Sequence, residues 1–408
     1  MSKIKLPNYD QTVLICQGGG ALGSYQAGAY EALHNAGIEP TWVAGISIGA
    51  MNAAIIAGNP PAKRAERLHE FWNTICRPPS IGAQVASETL SLTGEHFPIF
   101  HKIMDNVTNK TFSSWAAWQA IMHGQDGFFN PKPFAPGVGS PSNVNYYDTS
   151  PLISTLERLA DFDRINDSKE MRVSLGTTNV ATGNFTYFDN TKMRLSPLHF
   201  LASGALPPGF PAVEIDGEFY WDGGCVSNTP LAYIMSEAKN DDLLVFQVDL
   251  WSSRGRIPTN IFQVEERLKD IQFSSRTRSI TETMGMLQDL RQVILKTLEA
   301  VPEDIKKSNP WFKEAEKHVE ISKTNIIHLI YQEKKNEGHY KDYQFSRETK
   351  NMHWDAGKTD VENTLSDPSC LNLPSDSETF VTYDVHRKMR FTPSVPDPEF
   401  PTHAREKK

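Results

Sequence analysis

Residues 42–58 read WVAGISIGAMNAAIIAG, which is a short apolar run, a GxSxG motif and then a helical run of small and apolar residues. In a nucleophile elbow the flanking glycines, here Gly45 and Gly49, let a strand and a helix approach closely. The serine side chain then projects from a sharp turn at the helix N-terminus. A GxSxG motif also occurs by chance as a packing turn, but the strand, turn and helix around this one favour Ser47 as a nucleophile.

A glycine loop lies upstream of this stretch, between a predicted strand at residues 12–16 and a predicted helix at about 24–35. It reads GGGALG at residues 18–23 and would point backbone N–H groups at an anion. The same spacing satisfies the dinucleotide-binding pattern GxGxxG. The dinucleotide-binding fold needs an acidic residue at the end of the next strand to bind the ribose. Here the acidic residue at that distance, Glu39, precedes the strand at Trp42. The glycine loop therefore gives less support to a nucleotide-binding oxidoreductase. A purely structural role, as a tight turn between strand and helix, remains an alternative.

A third motif, YWDGG at residues 220–224, offers a base for the serine. Asp222 ends a short aromatic run and is followed by Gly223 and Gly224. Apolar neighbours partly desolvate a carboxylate, which raises its pKa and improves it as a base. A lone Asp-Gly turn is common, so this motif indicates a catalytic acid only in combination with the other two motifs.

The three motifs in this order resemble the patatin-like phospholipase family. The phrase ASGALP at residues 202–207, the pair FP at 210–211, and Asn228 and Pro230 after Asp222 are also similar to that family. The resemblance covers about residues 10–250. One departure is Leu22, where many members have arginine, so a role for a cation there is in doubt while a main-chain role for the loop is not.

The resemblance implies a serine–aspartate dyad without a catalytic histidine, and no metal or organic cofactor. Ser47 would be the nucleophile and Asp222 the base. The backbone N–H groups of Gly18, Gly19 and Gly20 would form the oxyanion hole. The remaining motif positions are Gly23, Gly45, Gly49, Gly223 and Gly224.

The pattern of apolar runs predicts an α/β fold, a patatin-like and mostly parallel sheet covered by helices, over residues 10–250. Further strands are expected at residues 42–44, 172–175 and 243–248. Residues 77–148 break the rhythm with prolines and aromatics such as Trp115 and Trp118, and form an insertion or cap, either a lid that meets lipid or a cover packed on the core. Residues 251–408 are expected to form a helical and mixed C-terminal extension, whose role the sequence does not indicate. It has a long helix or helix pair at 261–300, a strand at 324–331 and a helical pattern at 379–387.

Composition and charge argue against several classes of partner and of structural site. The 408 residues contain 41 Lys plus Arg and 49 Asp plus Glu, a formal net charge of −8, which disfavours nucleic acid as a partner. The four cysteines contain no CxxC pair, so neither a disulfide scaffold nor a zinc site is expected. No signal-peptide core or transmembrane helix is evident. We expect a cytoplasmic protein that touches membranes, if at all, peripherally and from one side.

The predicted function is a serine acyl hydrolase that cleaves lipid esters, foremost phospholipids, through an acyl-enzyme. One alternative is a catalytically silent lipid-binding or scaffold protein on the same fold. Another is an esterase of hydroxybutyrate-type esters. The oligomeric state stays open. A Ser-Asp-His triad in α/β-hydrolase order is also open, with the candidate histidines His318, His328, His339, His353 and His386.

Overall fold

The structure, a computed structural model, describes residues 3–76, 124–132, 139–238, 240–275, 277–316, 319, 322–332, 341–376 and 378–384. The strands are β1 (Gln11–Cys16), β2 (Trp42–Gly45), β3 (Asn130–Pro131), β4 (Tyr147–Asp148), β5 (Arg172–Asn179), β6 (Phe185–Asp189), β7 (Val213–Ile215), β8 (Glu218–Asp222), β9 (Leu243–Asp249), β10 (Thr324–Ile330) and β11 (Phe380–Asp384). The helices are α1 (Ser24–Asn35), α2 (Ile48–Ala57), α3 (Pro61–Ile75), α4 (Ser150–Leu159), α5 (Phe162–Ile165), α6 (Pro197–Ser203), α7 (Leu231–Glu237), α8 (Ile261–Phe273), α9 (Thr277–Glu299), α10 (Glu303–Ser308), α11 (Pro310–Glu316) and α12 (Arg347–Leu365). Short 3-10 turns span Gly20–Gly23, Gly223–Cys225, Lys341–Tyr343 and Pro368–Leu371.

A mixed sheet forms the centre of the fold. Within the described ranges it has nine strands in the order β11-β10-β9-β1-β2-β5-β8-β7, with β6 paired to β5. Neighbours from β11 to β5 run parallel, whereas β6, β7 and β8 add antiparallel pairs. The predicted α/β class is confirmed, and the strands predicted in residues 10–250 correspond to β1, β2, β5 and β9.

Helices cover both faces of the sheet because the side chains of β1 alternate between two cores. Leu14 and Cys16 belong to the larger core, which also contains the buried residues of α1, α2 and α3. Val13 and Ile15 belong to the smaller core, beside α7. Successive side chains on a strand point to opposite faces, so an uninterrupted apolar run such as VLIC is the expected sequence of a strand buried on both sides.

The C-terminal region extends the same sheet. Strand β10 pairs with β9 and carries β11 on its other edge, which confirms the strand predicted at 324–331. The helical pattern at 261–300 is a helix pair, α8 and α9, with an extended backbone at Ser274 after α8. Helix α12 packs on α1 at two glycines. A Cβ atom at Gly28 would lie 2.0 Å from the Trp354 carbonyl oxygen, and one at Gly357 would lie 2.0 Å from that of Tyr25.

The helical pattern predicted at 379–387 is wrong. Residues Phe380–Asp384 form β11, which pairs in parallel with β10 from Thr324 to His328. The run FVTYD is rich in aromatic and β-branched residues, which favour a strand when an edge is available to pair with. That edge is supplied by β10, which is distant in sequence.

Only part of the predicted insertion at 77–148 lies within the described residues. There β3 and β4 pair antiparallel, and Phe128 and Phe129 are buried. Phe129 packs against Tyr147 and Phe210, with ring centroids 4.9 and 5.2 Å away. Trp115 and Trp118 lie outside the described residues. None of the described helices combines the length and the apolar character needed to span a bilayer.

Candidate active site

Ser47 occupies a sharp turn between β2 and α2. Its backbone has φ 55° and ψ −124°, a conformation that a non-glycine residue adopts at a cost of about 1–3 kcal/mol. The turn needs both flanking glycines, because a Cβ atom at Gly45 would lie 2.4 Å from the Gly49 carbonyl oxygen and one at Gly49 would lie 2.2 Å from that of Cys16. The Ser47 N–H donates to the carbonyl and hydroxyl oxygens of Ser203, at 3.1 and 3.2 Å. The surrounding fold thus holds the strained residue in place.

Asp222 lies at the end of β8, where it is buried, and the Ser47 side chain is close enough to influence its pKa. The Gly224 N–H donates to its Oδ1 at 2.7 Å. Burial raises the pKa of the Asp222 carboxyl to about 7, and the Gly224 bond and the nearby Ser47 side chain oppose that shift. Gly223 allows the close approach of β5, since a Cβ atom there would lie 2.6 Å from the Gly176 carbonyl oxygen. The structure therefore places Ser47 close to a carboxyl whose pKa is near neutrality, in one pocket.

The glycine loop forms one wall beside the dyad. A Cβ atom at Gly18 would lie 3.0 Å from the Ser47 Cβ, and Gly20 has a φ of +55°. The Gly18 N–H donates to the side chain of Asn228 at 3.2 Å. Among the described residues, the N–H groups of Gly19 and Gly20 have no acceptor. Gly23 has a packing role, because a Cβ atom there would lie 2.7 Å from the Ile48 side chain.

A pocket of about 840 Å³ of empty space, open mouth included, contains Ser47, Asp222 and the glycine loop. Its walls are mostly aromatic and aliphatic. The side chains that line it outside the predicted site include Met51, Phe128, Phe129, Leu152, Leu201, Leu206, Phe210, Asn228, Trp251, Phe273, Asp342, Tyr343 and Phe345. Such a pocket suits a largely apolar ligand.

Besides Trp251, four of these lining residues belong to the C-terminal region, and no pattern in the sequence indicates that they line a pocket. They are Phe273, Asp342, Tyr343 and Phe345. Lys269 on α8 binds both carboxylate oxygens of Asp342, at 2.9 and 2.8 Å, and its Nζ lies 5.2 Å from the centre of the Tyr343 ring. A Cβ atom at Gly20 would lie 2.2 Å from the Asp342 carbonyl oxygen. The C-terminal region therefore contacts the glycine loop directly.

The described candidate histidines do not line the pocket. His328 Nε2 lies 2.6 Å from Asp249 Oδ2. His353 is buried, with its ring centroid 5.0 Å from that of Tyr331. His318, His339 and His386 lie outside the described residues. Within the described part of the chain, no cluster of three or more His, Cys, Asp or Glu side chains could hold a metal ion.

Glu39, the residue weighed as a ribose ligand, is used elsewhere. It accepts hydrogen bonds from Tyr30 at 2.9 Å and from Arg64 at 2.6 Å. It does not line the pocket. The geometry around the glycine loop thus gives no support to the dinucleotide hypothesis.

A family model described as patatin-like phospholipase matches residues 14–235, which is more than half of the chain. The chain belongs to the patatin-like phospholipase family. A second family model, described as patatin phospholipase, matches residues 271–377. The two matches together include β1, the elbow, Asp222 and most of the C-terminal region. Membership assigns the chain to a family of lipid acyl hydrolases.

Among solved structures, VipD from Legionella pneumophila is similar to this patatin-like chain at 13% identity and a TM-score of 0.37. The similarity covers 90% of this chain and 69% of that one. No curated protein matches the chain.

Proposed function

We propose that the protein hydrolyses lipid esters, phospholipids foremost, through a Ser47–Asp222 dyad and an acyl-enzyme. The observation that carries the proposal is the contact between a strained Ser47 and the buried Asp222, whose pKa is raised to about 7. A general base is most effective when its pKa lies near the working pH. The apolar pocket around the pair supports an acyl chain as the bound part of the substrate.

In the acylation half, Asp222 accepts the Ser47 proton while the serine oxygen attacks the ester carbonyl carbon. The carbonyl oxygen becomes an oxyanion, which the N–H groups of Gly19 and Gly20 stabilise. The Gly18 N–H donates to Asn228, so Gly18 contributes to the oxyanion hole through the position of the loop and not as a donor. The intermediate collapses, the carbon–oxygen bond to the alcohol breaks, and the leaving alcohol takes the proton from Asp222.

In the deacylation half, Asp222 takes a proton from water as that water attacks the acyl-serine. A second oxyanion forms in the same hole and collapses to release the fatty acid, while Asp222 returns the proton to Ser47. No histidine and no redox change is needed. Each donor of an oxyanion hole contributes about 3 kcal/mol to such a reaction.

Peripheral contact with a lipid surface is part of the proposal, and we assign it to α8. Ile261, Val264 and Leu268 lie three and four residues apart and are 66%, 45% and 62% exposed. Ile257, just before the helix, is 89% exposed and follows the exposed Arg254 and Arg256, which suit anionic headgroups. Phe273 ends α8 and lines the pocket, so the helix leads from the exposed row to the site.

The test of the proposed function is Ser47→Ala. We expect loss of nearly all hydrolysis of phospholipid vesicles and of a soluble short-chain ester, because only the nucleophilic oxygen is removed. A fluorophosphonate probe should label the wild type and not the variant. The matched control is Ser236→Ala, which removes an exposed hydroxyl far along α7 and should keep both labelling and activity.

Three outcomes would count against the assignment. Labelling that persists in Ser47→Ala would place the nucleophile elsewhere. A wild type that binds vesicles but releases no fatty acid would favour the silent lipid-binding alternative. Turnover of hydroxybutyrate esters without turnover of phospholipids would favour the esterase alternative.

A further inference from the structure

One side chain binds both polar backbone groups of Gly18. The Asn228 Oδ1 accepts from the Gly18 N–H at 3.2 Å, and the Asn228 Nδ2 donates to the Gly18 carbonyl oxygen at 2.9 Å. Asn228 is buried, so these bonds are sheltered from water. Trp251 adds a second donor, its Nε1–H, to the same carbonyl oxygen at 2.8 Å. The Gly18 backbone is therefore held by three hydrogen bonds, one at its N–H and two at its carbonyl oxygen.

The fixed carbonyl also fixes the next N–H group. The Gly18 carbonyl and the Gly19 N–H belong to one planar trans peptide group, in which C=O and N–H point in opposite directions. Holding the oxygen against Asn228 and Trp251 thus sets the direction of the Gly19 N–H. That N–H has no acceptor among the described residues, and Gly19 lines the pocket with Ser47.

A loop of three consecutive glycines needs such restraint from outside. Glycine has no side chain to limit its backbone and samples more conformations than any other residue. An oxyanion hole stabilises charge only when its donors are already oriented before the reaction begins. The loop itself supplies donors, whereas rigidity has to come from its neighbours.

The end of α8 anchors this restraint. The Phe273 carbonyl oxygen accepts from Asn228 Nδ2 at 2.9 Å and from Gln17 Nε2 at 3.1 Å. Gln17 Oε1 in turn accepts from the N–H groups of Leu250 and Trp251, at 2.6 and 3.0 Å. The Phe273 and Trp251 rings also pack together, with centroids 5.5 Å apart. A residue of the C-terminal region thus holds both side chains that hold Gly18.

We propose that Asn228 and Trp251 are positioning residues for the oxyanion hole, and that the carbonyl end of α8 anchors them. They act by fixing the Gly18–Gly19 peptide group so that the Gly19 N–H faces the reacting carbonyl oxygen. The proposal rests on the proposed function. It also gives the C-terminal region a part in catalysis.

The experiment measures kcat and KM for p-nitrophenyl butyrate, a soluble ester, in three variants. Trp251→Phe removes the Nε1 donor and keeps an aromatic ring against Phe273. Asn228→Asp keeps an acceptor for the Gly18 N–H but loses both donations, and Asn228→Ala loses all three bonds. Removing one oxyanion donor costs about 100- to 1,000-fold in kcat, so misdirecting one should cost about 10- to 100-fold. We expect KM to stay within about twofold, because the transition state is affected and substrate binding is not.

A second readout isolates the oxyanion hole. A trifluoromethyl ketone captured by Ser47 forms a tetrahedral adduct whose oxygen occupies the hole, so its inhibition constant should rise in proportion to the fall in kcat/KM. A general loss of stability would not produce that proportionality.

Asn190 provides a matched control. Like Asn228 it is buried and 8% exposed, and it makes three bonds to the backbone. Its Oδ1 accepts from the Val173 N–H at 2.9 Å, and its Nδ2 donates to the carbonyls of Ile165 and Met171 at 2.7 and 2.9 Å. It does not line the pocket. Asn190→Ala should lower the melting temperature about as much as Asn228→Ala while keeping kcat within about twofold of the wild type.

The proposal is overturned if Trp251→Phe and Asn228→Asp both keep kcat within about threefold of the wild type, or if Asn190→Ala loses as much kcat as they do below its melting temperature. If Asn228→Ala does not fold, Trp251→Phe and Asn228→Asp decide, and if Asn228→Asp does not fold either, Trp251→Phe decides alone. A wild type with no esterase activity and no labelling of Ser47 would overturn the proposed function, and this proposal with it.

Discussion

At the scale of single residues, the central fact is a carboxyl whose ionisation is costly. Asp222 is buried beside a serine, and desolvation raises its pKa to about 7. Its neighbours donate too few hydrogen bonds to offset the lost water. The same burial that suits Asp222 to the proposed role of base destabilises the folded protein when the carboxyl is charged.

We therefore predict that Asp222→Asn removes nearly all hydrolysis, because an amide cannot accept the serine proton. In the wild type, kcat/KM should rise with pH through about 7 and then level off, since the base must be ionised. His328→Gln and His353→Gln should keep most of the activity, as should the same change at His318, His339 and His386. If one of these five variants folds and still loses as much activity as Asp222→Asn, a triad replaces the dyad.

Thermal stability gives an independent check of the same pKa. The folded protein keeps the Asp222 proton up to about pH 7, whereas the unfolded chain loses it near the ordinary value of 3.8. Between these values the folded state binds more protons, so its stability from this group falls as pH rises. The melting temperature of Asp222→Asn relative to the wild type should increase from pH 4 to pH 7 and then stay constant. A difference that does not depend on pH would contradict the raised pKa.

At the scale of elements, the two parts of α8 differ in their surroundings. Its last residue, Phe273, lines the pocket and anchors Asn228, while Ile261 and Leu268 point to solvent. An exposed apolar row on an amphipathic helix is what an interfacial helix presents to lipid. Element and site are therefore joined at one end of a helix.

We predict that the double variant Ile261→Ser with Leu268→Ser loses at least about tenfold in activity on vesicles of phosphatidylcholine with phosphatidylglycerol, because two apolar side chains no longer enter the lipid. Activity on a soluble short-chain ester should be unchanged. The matched control is Leu290→Ser with Val293→Ser on α9, whose side chains are 55% and 60% exposed. Equal losses on both substrates, or an equal loss for the α9 pair on vesicles, would rule out α8 as the docking element.

At the scale of the whole molecule, the patatin-like region and the C-terminal region form one sheet and share one site. The contact of α1 with α12 depends on Gly28 and Gly357, where neighbouring carbonyl oxygens lie 2.0 Å from the position of a Cβ atom. A side chain there would force the helices apart. The two parts should therefore unfold together.

We predict that Gly357→Ala lowers the melting temperature of the whole protein by several degrees, since such overpacking costs about 1–3 kcal/mol. Residual esterase activity should disappear over the same temperature range as the helical signal. Gly285→Ala on α9 is the matched control, because a Cβ atom there would meet no atom within 4 Å. Its melting temperature should stay the same or rise slightly, as alanine favours a helix. Two separate transitions in Gly357→Ala would show that the regions fold independently.

Much of the fold and the core of the site could be predicted from short stretches of sequence. Ser47 between two glycines specifies an elbow because the close approach of β1 and α2 excludes every larger side chain. An uninterrupted apolar run such as β1 specifies a strand buried on both faces. The association of Asp222 with Ser47 came from the resemblance to a family, since nothing local to either residue indicates that they meet.

Only the tertiary structure decided which residues surround the dyad. Asn228 and Gly18 are 210 residues apart, and the Asn228 side chain bonds to backbone atoms of Gly18, which every residue possesses. Such a bond leaves no periodicity in the sequence, and the family resemblance that includes Asn228 does not indicate its partner. The same holds for Asp342 and Tyr343, which lie in a polar stretch and reach the pocket because β10 pairs with β9. For the same reason residues 380–384 form a strand where the sequence predicted a helix, since the pairing edge comes from a distant part of the chain. The sequence alone determines the structure where a local backbone shape demands particular residues. The tertiary structure decides where a side chain bonds to a distant backbone group, and where strands far apart in the sequence pair.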